Sequence, residues 1–390
     1  MMKQILFVDD DKLLRDLYGM LMEGLREQWE TTLAADGESA LKLLGQKAFD
    51  VVVSDMQMPG MNGVQLLTEV RQRHPQTSRI IISGMADQAK AADSLKCTHL
   101  FISKPVGAKA LRATLTRIRS LDAYLESPSL RALAGKMGTM PTFPALYLEI
   151  MREMDSPSAS IQSLARIITQ DPAMTAKILQ VANSAGLGLA ERVSDPAEAV
   201  QHLGMSTVRS LALSAQVFGR FSQGRITGFS PDLLWMHLMK CGDLTRAIML
   251  GEGAEMGEVE DAFTAGMLHD IGKLMLADNL PNEFREAMAL ARAEQIPLAQ
   301  AEQRVLGATH AGLAAYLLGL WGLPAPIVEA VALYEEPRRS ELKQFSALTA
   351  VHVANVLCDE SDGAELDMAY LAEIGVAERV EEWKGLVDGG

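Results

Sequence analysis

No run in this chain approaches the ~18 uncharged apolar residues that a membrane span needs. Cysteine is scarce too. Cys97, Cys241 and Cys358 are scattered, which excludes a disulfide framework and a Cys-x-x-Cys metal site. They read as buried thiols in a reducing compartment. Positive charge is also short, with 36 Lys and Arg against 50 Asp and Glu and a formal net charge of −14. That balance excludes general attraction to nucleic acid or to an anionic membrane, though not a local basic patch. There is no helix-turn-helix signal, internal repeat or low-complexity tract, so direct DNA binding is not expected. The opening "MMKQILFVDDDK" meets acid after eight residues, unlike a secretory leader, and the expectation is a cytoplasmic protein with no membrane contact.

Hydrophobic content of 48% with 22% charged residues describes a globular protein. A chain of 390 residues exceeds one ordinary core, so two domains are expected. The first ~120 residues alternate short apolar runs with amphipathic helical segments. "QILFV", "TTLAA", "DVVVS", "RIIIS" and "LFIS" predict five strands, with helices such as "KLLRDLYGMLMEGLREQ" and "VQLLTEVRQRH" between them. This is the pattern of an α/β doubly wound, five-stranded parallel sheet. From Leu111 the strand signal disappears. "LRATLTRIRSLDAYLES" predicts a helix ending at the pre-proline Ser127, followed by a partly ordered connector. Beyond it the periodicity is helical throughout, including one helix over "AFTAGMLHDIGKLML", with breaks at Asp171-Pro172, Asp195-Pro196, Ser230-Pro231 and Leu323-Pro324. The second half reads as all-α.

Asp9 and Asp10 follow the first strand and Asp55 follows the third. In a parallel α/β sheet the C-terminal strand ends form the ligand crevice, so these carboxylates should converge. Clustered carboxylates repel one another, and a hard cation such as Mg²⁺ relieves the repulsion. The same ion would neutralise a phosphoryl group in transfer to a carboxylate. Ser83 ends the fourth strand and Lys104 follows the fifth, placing a hydroxyl and an ammonium where phosphoryl oxygens would lie.

These residues resemble a two-component response-regulator receiver domain over residues 1–123. The resemblance implies that Asp55 is the phospho-acceptor, with Asp9, Asp10, Asp55 and the Gln57 backbone carbonyl as the Mg²⁺ ligands. It makes Ser83 the switch hydroxyl, Lys104 the phosphoryl contact and Phe101 the switch aromatic. It also implies a sensor histidine kinase or phosphotransfer protein as partner. Phe101 lacks the hydroxyl of the commoner tyrosine.

In the helical half, "GMLHDIGKLML" sets His269 directly before Asp270, with Lys273 close behind. A metal-dependent phosphohydrolase of the HD type needs such a doublet, an early His and a late Asp around one cavity, and two-metal versions need more histidines. His237 is a candidate early histidine and His310 a candidate later one. Asn355 stands where the late aspartate is expected, and Tyr334-Glu335 where a two-metal site would carry a His-His pair. Asn is a weaker ligand than carboxylate, though Glu335 offers another oxygen. His237 and the doublet also fit hydrogen-bonded core positions, and the Met-rich stripe fits core packing.

The segments "MPTFPALYLEIM", "IITQDPAMTAKILQVANSA", "DPAEAVQHLGMSTVRSLAL", "HDIGKL" and "THAGLAAYLLGLWGLPAPIVEAV" resemble an HDOD domain, the HD-related output domain of bacterial signalling proteins. The run around Asp171, Pro172, Asn183 and Ser184 separates it from plain HD hydrolases. The resemblance implies a 124–138 helical connector and an HDOD output domain over 139–390 with trailing helices. It also implies an output module without hydrolase activity and without a tightly held metal. The whole then reads as a response regulator whose phosphorylation controls binding of a downstream signalling protein or a ligand, with homodimerisation open. The helix from Gly107 to Glu126 would be the mechanical link. The alternatives are an HD-type phosphohydrolase or cyclic-dinucleotide phosphodiesterase, and a binding module for a nucleotide second messenger.

Overall fold

The computed structural model describes residues 2–74, 77–83, 98, 100–104, 111–112, 115, 130, 133, 145–154, 156, 158–182, 193–221, 226–321, 323–358 and 365–388. They fall into two compact units, one over the first 143 residues and one over most of the remainder. No described helix is long and apolar enough to cross a membrane.

In the first unit β1 (Lys3–Val8), β2 (Trp29–Ala34), β3 (Val51–Asp55), β4 (Ser78–Ser83) and β5 (Leu100–Ser103) form one sheet. All pairs are parallel, in the order β2-β1-β3-β4-β5, as the sequence pattern predicts. Successive side chains of a strand point to opposite faces, and here both faces are covered. Leu6, Val8, Val52 and Ile81 pack with α2 (Gly37–Gln46) and α3 (Gly63–Arg73). Ile5, Phe7, Val51, Val53, Ile80 and Ile82 pack with Tyr18 and Met22 of α1 (Lys12–Glu23). Each such side chain contributes about 1.5–3 kcal/mol when fully buried. Helix α1 is shorter than its periodicity predicts. Leu25 and Gln28 continue the chain as turns, their amides donating to Met22 O and Leu25 O at 2.9 Å each.

The regular structure of the second unit's described residues is helical, apart from one isolated bridge between Ile226 and Phe229. Its first helices are α4 (Ala145–Met154), α5 (Ile161–Ile168), α6 (Pro172–Ala182), α7 (Pro196–Leu203) and α8 (Met205–Phe221). Those nearest the candidate site are α9 (Pro231–Gly251), α10 (Met256–Leu268), α11 (Ile271–Asn279), α12 (Pro281–Glu294) and α13 (Leu298–Leu306). There follow α14 (His310–Leu320), α15 (Ala325–Leu333), α16 (Ala347–Cys358), α17 (Met368–Glu373) and α18 (Val380–Asp388). Proline at the first helical position with an oxygen-bearing cap sets several starts. Asp195 Oδ1 accepts from Ala197 N at 2.7 Å and Ser230 Oγ from Leu233 N at 3.3 Å. Helices α9, α10, α15 and α16 pack on one another, which brings the candidate polar residues together.

One expectation is corrected. "AFTAGMLHDIGKLML" is not a single helix, since α10 ends at Leu268 and α11 starts at Ile271. His269 keeps helical dihedrals, but Asp270 departs to φ −104°, ψ 6°. The turn lets α11 press against α14. A Cβ on Gly272 would lie 2.0 Å from the His310 carbonyl oxygen, so only glycine permits this approach. The predicted helix after Leu111 lies mostly outside the described residues, of which Leu111, Arg112 and Leu115 are helical. Leu130 and Leu133 of the connector are helical as well.

Candidate functional site

The first site forms at the C-terminal sheet edge. β1 and β3 are neighbours with Val8 opposite Ser54, so Asp9 and Asp55 emerge side by side. Ligand oxygens of Asp9, Asp10 and Asp55 all lie within 4.8 Å of one another. Asp9 is 1% exposed and accepts from Asp11 N at 2.9 Å and from the Tyr18 hydroxyl at 3.3 Å. Burial raises its pKa above the usual range, and Asp55 and Asp10 add to that, against the Asp11 amide and Lys104. A crowded set of hard oxygens around the buried Asp9 carboxylate fits a divalent cation such as Mg²⁺. Lys104 Nζ lies 2.8 Å from Asp55 Oδ1 and 3.8 Å from Asp9 Oδ2. Met56 N donates to the same Asp55 oxygen at 2.8 Å.

The loop "DMQMPGMNG" fixes this edge. Asn62 caps α3, accepting from Gln65 N at 2.9 Å, while Gln65 Oε1 accepts from Asn62 N at 3.0 Å. Gly63 follows because a Cβ there would sit 2.0 Å from the Asp55 carbonyl oxygen. Gln57 is exposed, two residues beyond Asp55. Ser83 pairs with Ser103 and Phe101 with Ile81 in the sheet register, while both side chains lie outside the described set.

The second site lies in the helical unit, where His237, His269, Asp270, Lys273, His310 and Asn355 converge. His269 is wholly buried and its Nδ1 meets Gly266 O at 2.8 Å. A carbonyl only accepts, so Nδ1 carries the proton and Nε2 a lone pair. Burial holds the His269 pKa down to about 4, with His237 and Lys273 adding and Asp270 opposing, so the ring is neutral. The side-chain amide of Asn355 stands 3.1 Å from the Nε2 atoms of both His269 and His237. Lone-pair logic turns its NH₂ toward the two rings, giving each nitrogen a donor where a metal ion would otherwise stand.

Asp270 is equally enclosed. Lys273 Nζ is 2.7 Å from Oδ2, and Oδ1 accepts from the Tyr334 hydroxyl at 2.6 Å, with His310 Nε2 at 3.1 Å. Burial alone would raise the Asp270 pKa; Lys273, His269 and His310 outweigh it and hold the carboxyl well below the usual range. His310 is the complement. Burial disfavours its charge, but Glu302 and Glu335 outweigh burial and hold it well above the usual histidine value. Glu302 Oε2 accepts from both His310 N (2.8 Å) and Nδ1 (2.6 Å). Glu335 lies 3.8 Å from His310 Nε2 with its side chain 27% exposed. Desolvation pushes Glu335 up to about 7 against the pull of His310, and water at its exposed edge screens part of that effect.

The donor set does not fit the two-carboxylate site of an HD-type hydrolase. His237, Cys241 and His269 bring ligand atoms within 4.8 Å of one another, a soft group of the kind that suits Zn²⁺. The carboxylate the chemistry requires is already neutralised by an ammonium, and the late ligand is a neutral amide. Glu302 is the residue the sequence reading missed. It lies on α13, eight residues before His310, and nothing in "LAQAEQRVL" marks this acid as buried. Tyr334 was placed only as a missing ligand, whereas it bridges Asp270 and His310. Asp171 caps α6, accepting from Met174 N at 3.1 Å, and Asn183 and Ser184 lie outside the described residues.

Residues 5–116 match the response regulator receiver domain family, and residues 140–337 match the HDOD domain family. The chain is 23% identical over 246 residues to an uncharacterized protein of Treponema pallidum (strain Nichols), covering 63% of this chain and 47% of that protein. It is 31% identical over 174 residues to the Regulator of RpoS of Escherichia coli (strain K12), covering 42% of this chain and 49% of that one. The chain thus spans about half the length of these curated relatives. A solved HDOD domain protein of unknown function from Geobacter sulfurreducens shares the helical fold, with TM-score 0.51 and 22% identity over 67% of this chain and 96% of that one. With half its length matched, the chain belongs to the HDOD family and carries its HDOD domain behind a response regulator receiver domain.

Proposed function

We propose that the protein is a phospho-accepting response regulator in which Asp55 is modified and the HDOD domain acts by binding rather than by turnover. The observation that carries this is the Lys104 ammonium 2.8 Å from Asp55 Oδ1, beside the buried acid Asp9. In this reading an Asp55 oxygen attacks the phosphorus of a phosphohistidine on a sensor kinase or phosphotransfer protein. The P–N bond breaks and the imidazole leaves. Asp9, Asp10, Asp55 and the Gln57 carbonyl would hold Mg²⁺, which would supply charge neutralisation for the phosphoryl group. Lys104 takes a phosphoryl oxygen as its partner, and Ser83 and Phe101 report the change by rotamer. Phosphorylation then shifts an equilibrium between receiver conformations, transmitted through the 124–138 connector to the output domain over 139–390.

Absence of turnover is supported by the engagement of both potential metal carboxylate positions: Asp270 by Lys273 and position 355 by a neutral amide. Radiolabelled acetyl phosphate in Mg²⁺ is expected to label the wild-type protein and not Asp55→Asn. Labelling of the variant at the wild-type rate refutes the assignment.

A further inference from the structure

Beside the buried polar cluster lies a cavity of about 530 Å³, between α9, α11 and α12. Its size falls in the range of pockets that enclose small organic ligands. We infer that it binds an aromatic phosphate, an anionic head group joined to a planar ring as in a nucleoside monophosphate, and holds it without cleavage. This rests on the reading above that the output domain works by binding, and names the chemistry of what is bound.

Charge is the first reason. The protein carries a net −14, yet the described residues lining this cavity include Lys240, Lys273 and Arg292 against a single carboxylate, Asp270. Lys273 already neutralises Asp270 at 2.7 Å, which leaves Lys240 and Arg292 in excess. Such a local reversal of sign concentrates anions at the mouth.

The second reason is preorganisation. Gly228 has φ +85°, and a Cβ there would come within 2.8 Å of Arg292 Nη2. The glycine leaves room for the guanidinium, which donates from Nη2 to Gly228 O at 3.4 Å. A guanidinium has five N–H donors in a planar fork, so this single bond orients it and leaves the others for a phosphate.

The third reason is the apolar part of the lining. The half-buried Phe229 presents a ring against which a planar group can lie, and it is held from behind by the fully buried Phe284, edge to face with ring centroids 5.5 Å apart at 85°. Leu233 and Met236 also line the cavity and remain 67% and 52% exposed. Apolar side chains held open beside cations match a ligand with a ring at one end and a charge at the other. His237, the imidazole at the inner end, has its Nε2 occupied by Asn355 and offers no base to the ligand.

The test uses the full-length chain and a fluorescent N-methylanthraniloyl AMP, followed by anisotropy. Saturable binding of one probe per chain is expected, displaced by phenyl phosphate at lower concentration than by inorganic phosphate. Arg292→Ala and Lys240→Ala should each weaken binding about tenfold or more, the loss of one charge-assisted contact. Gly228→Ala, which removes no charge, should weaken it by displacing Arg292. Circular dichroism of each variant checks the fold. No saturable binding, or binding that both cation substitutions leave unchanged, overturns the inference; release of inorganic phosphate from AMP overturns the absence of cleavage. Acetyl-phosphate labelling of the same preparation separates the two readings. Labelled protein that ignores the probe removes the ligand site alone, and unlabelled protein that binds it removes the receiver assignment alone.

Discussion

Tyr334 donates its hydroxyl to Asp270 Oδ1 at 2.6 Å, and the same hydroxyl lies 2.8 Å from His310 Nε2. A phenol thus stands between a buried carboxylate and a buried imidazole, where a two-metal site would present imidazole ligands. The two oxygens and one nitrogen form a continuous hydrogen-bonded network of protein groups. In a low-dielectric interior such networks hold helices in one arrangement, because each unpaired member is costly.

Tyr334→Phe removes the hydroxyl and little else. Asp270 retains Lys273 and His310, so the expected loss is about 1–3 kcal/mol, the cost of one unsatisfied buried group. Glu302→Ala should cost more, about 3–5 kcal/mol, because it strands the buried His310 charge. Urea unfolding followed by emission of Trp235 and Trp383, both in the helical unit, ranks the two. Equal losses would mean that His310 is not charged in the folded protein.

The buried histidines His269, His310 and His352 predict a specific pH window. His269 has a folded pKa of about 4, below its unfolded value of about 6.5. Between those values the unfolded chain binds the extra proton, so stability is present above pH 6.5 and declines as pH falls toward 4. The span corresponds to roughly 3 kcal/mol. His310 has the opposite sign: its raised pKa stabilises below about 6.5 and is lost only as pH rises through the folded value. Asp270, held low, contributes above about 3.9 and is lost below that. His352, also held low by burial, adds to the decline between pH 6.5 and 4, while Glu335, pushed up to about 7, opposes it, so the share of His269 is read by substitution. In His269→Gln the slope of stability against pH in that interval should flatten; an unchanged slope would assign it elsewhere.

Much of the first unit was legible because its signals are local. Four of the five apolar runs end in the chemistry-bearing residues, and strand order alone brings Asp9, Asp55 and Lys104 together. The helical site was legible only in part. His237, His269, Asp270, His310 and Asn355 could be named from their spacing, but their partners come from helices distant in sequence. Glu302 escaped because a single acid on an amphipathic helix looks solvated until tertiary packing buries it. Continuous periodicity likewise hid the turn at His269-Asp270, whose cause is the approach of Gly272 to the backbone of α14, thirty-eight residues later at His310.

Gly63 allows a test of the receiver pocket that leaves every ionisable group intact. A Cβ at this position would fall 2.0 Å from the Asp55 carbonyl and 3.0 Å from Ser54 Oγ. Gly63→Ala must push α3 from the end of β3, at a cost of about 1–3 kcal/mol. Labelling by acetyl phosphate should drop although Asp9, Asp10, Asp55 and Lys104 are all present. Wild-type labelling in a folded Gly63→Ala protein would show that the loop does not position the acceptor.

The helical cluster departs from the two-carboxylate donor set of an HD-type metal site. Two features are expected to weaken divalent-ion binding here: Asn355 engages the Nε2 atoms of His237 and His269, and Lys273 supplies the positive charge Asp270 needs. Restoring the carboxylate alone is expected to be insufficient, because Asn355→Asp leaves the ammonium 2.7 Å from Asp270 Oδ2. The new acid would instead draw a proton onto His269, raising its pKa from about 4. Asn355→Asp combined with Lys273→Ala removes one cation and adds one anion, a change of two charges at a site already holding two imidazoles and a carboxylate. That double variant should bind Mn²⁺ or Zn²⁺ near one ion per chain by calorimetry, while the wild type and both single variants should not. Stoichiometric metal in the wild type would mean that the ion displaces Lys273 unaided, and the hydrolase reading would then take precedence. No metal in the folded double variant would show that helix packing, not charge, closes the site.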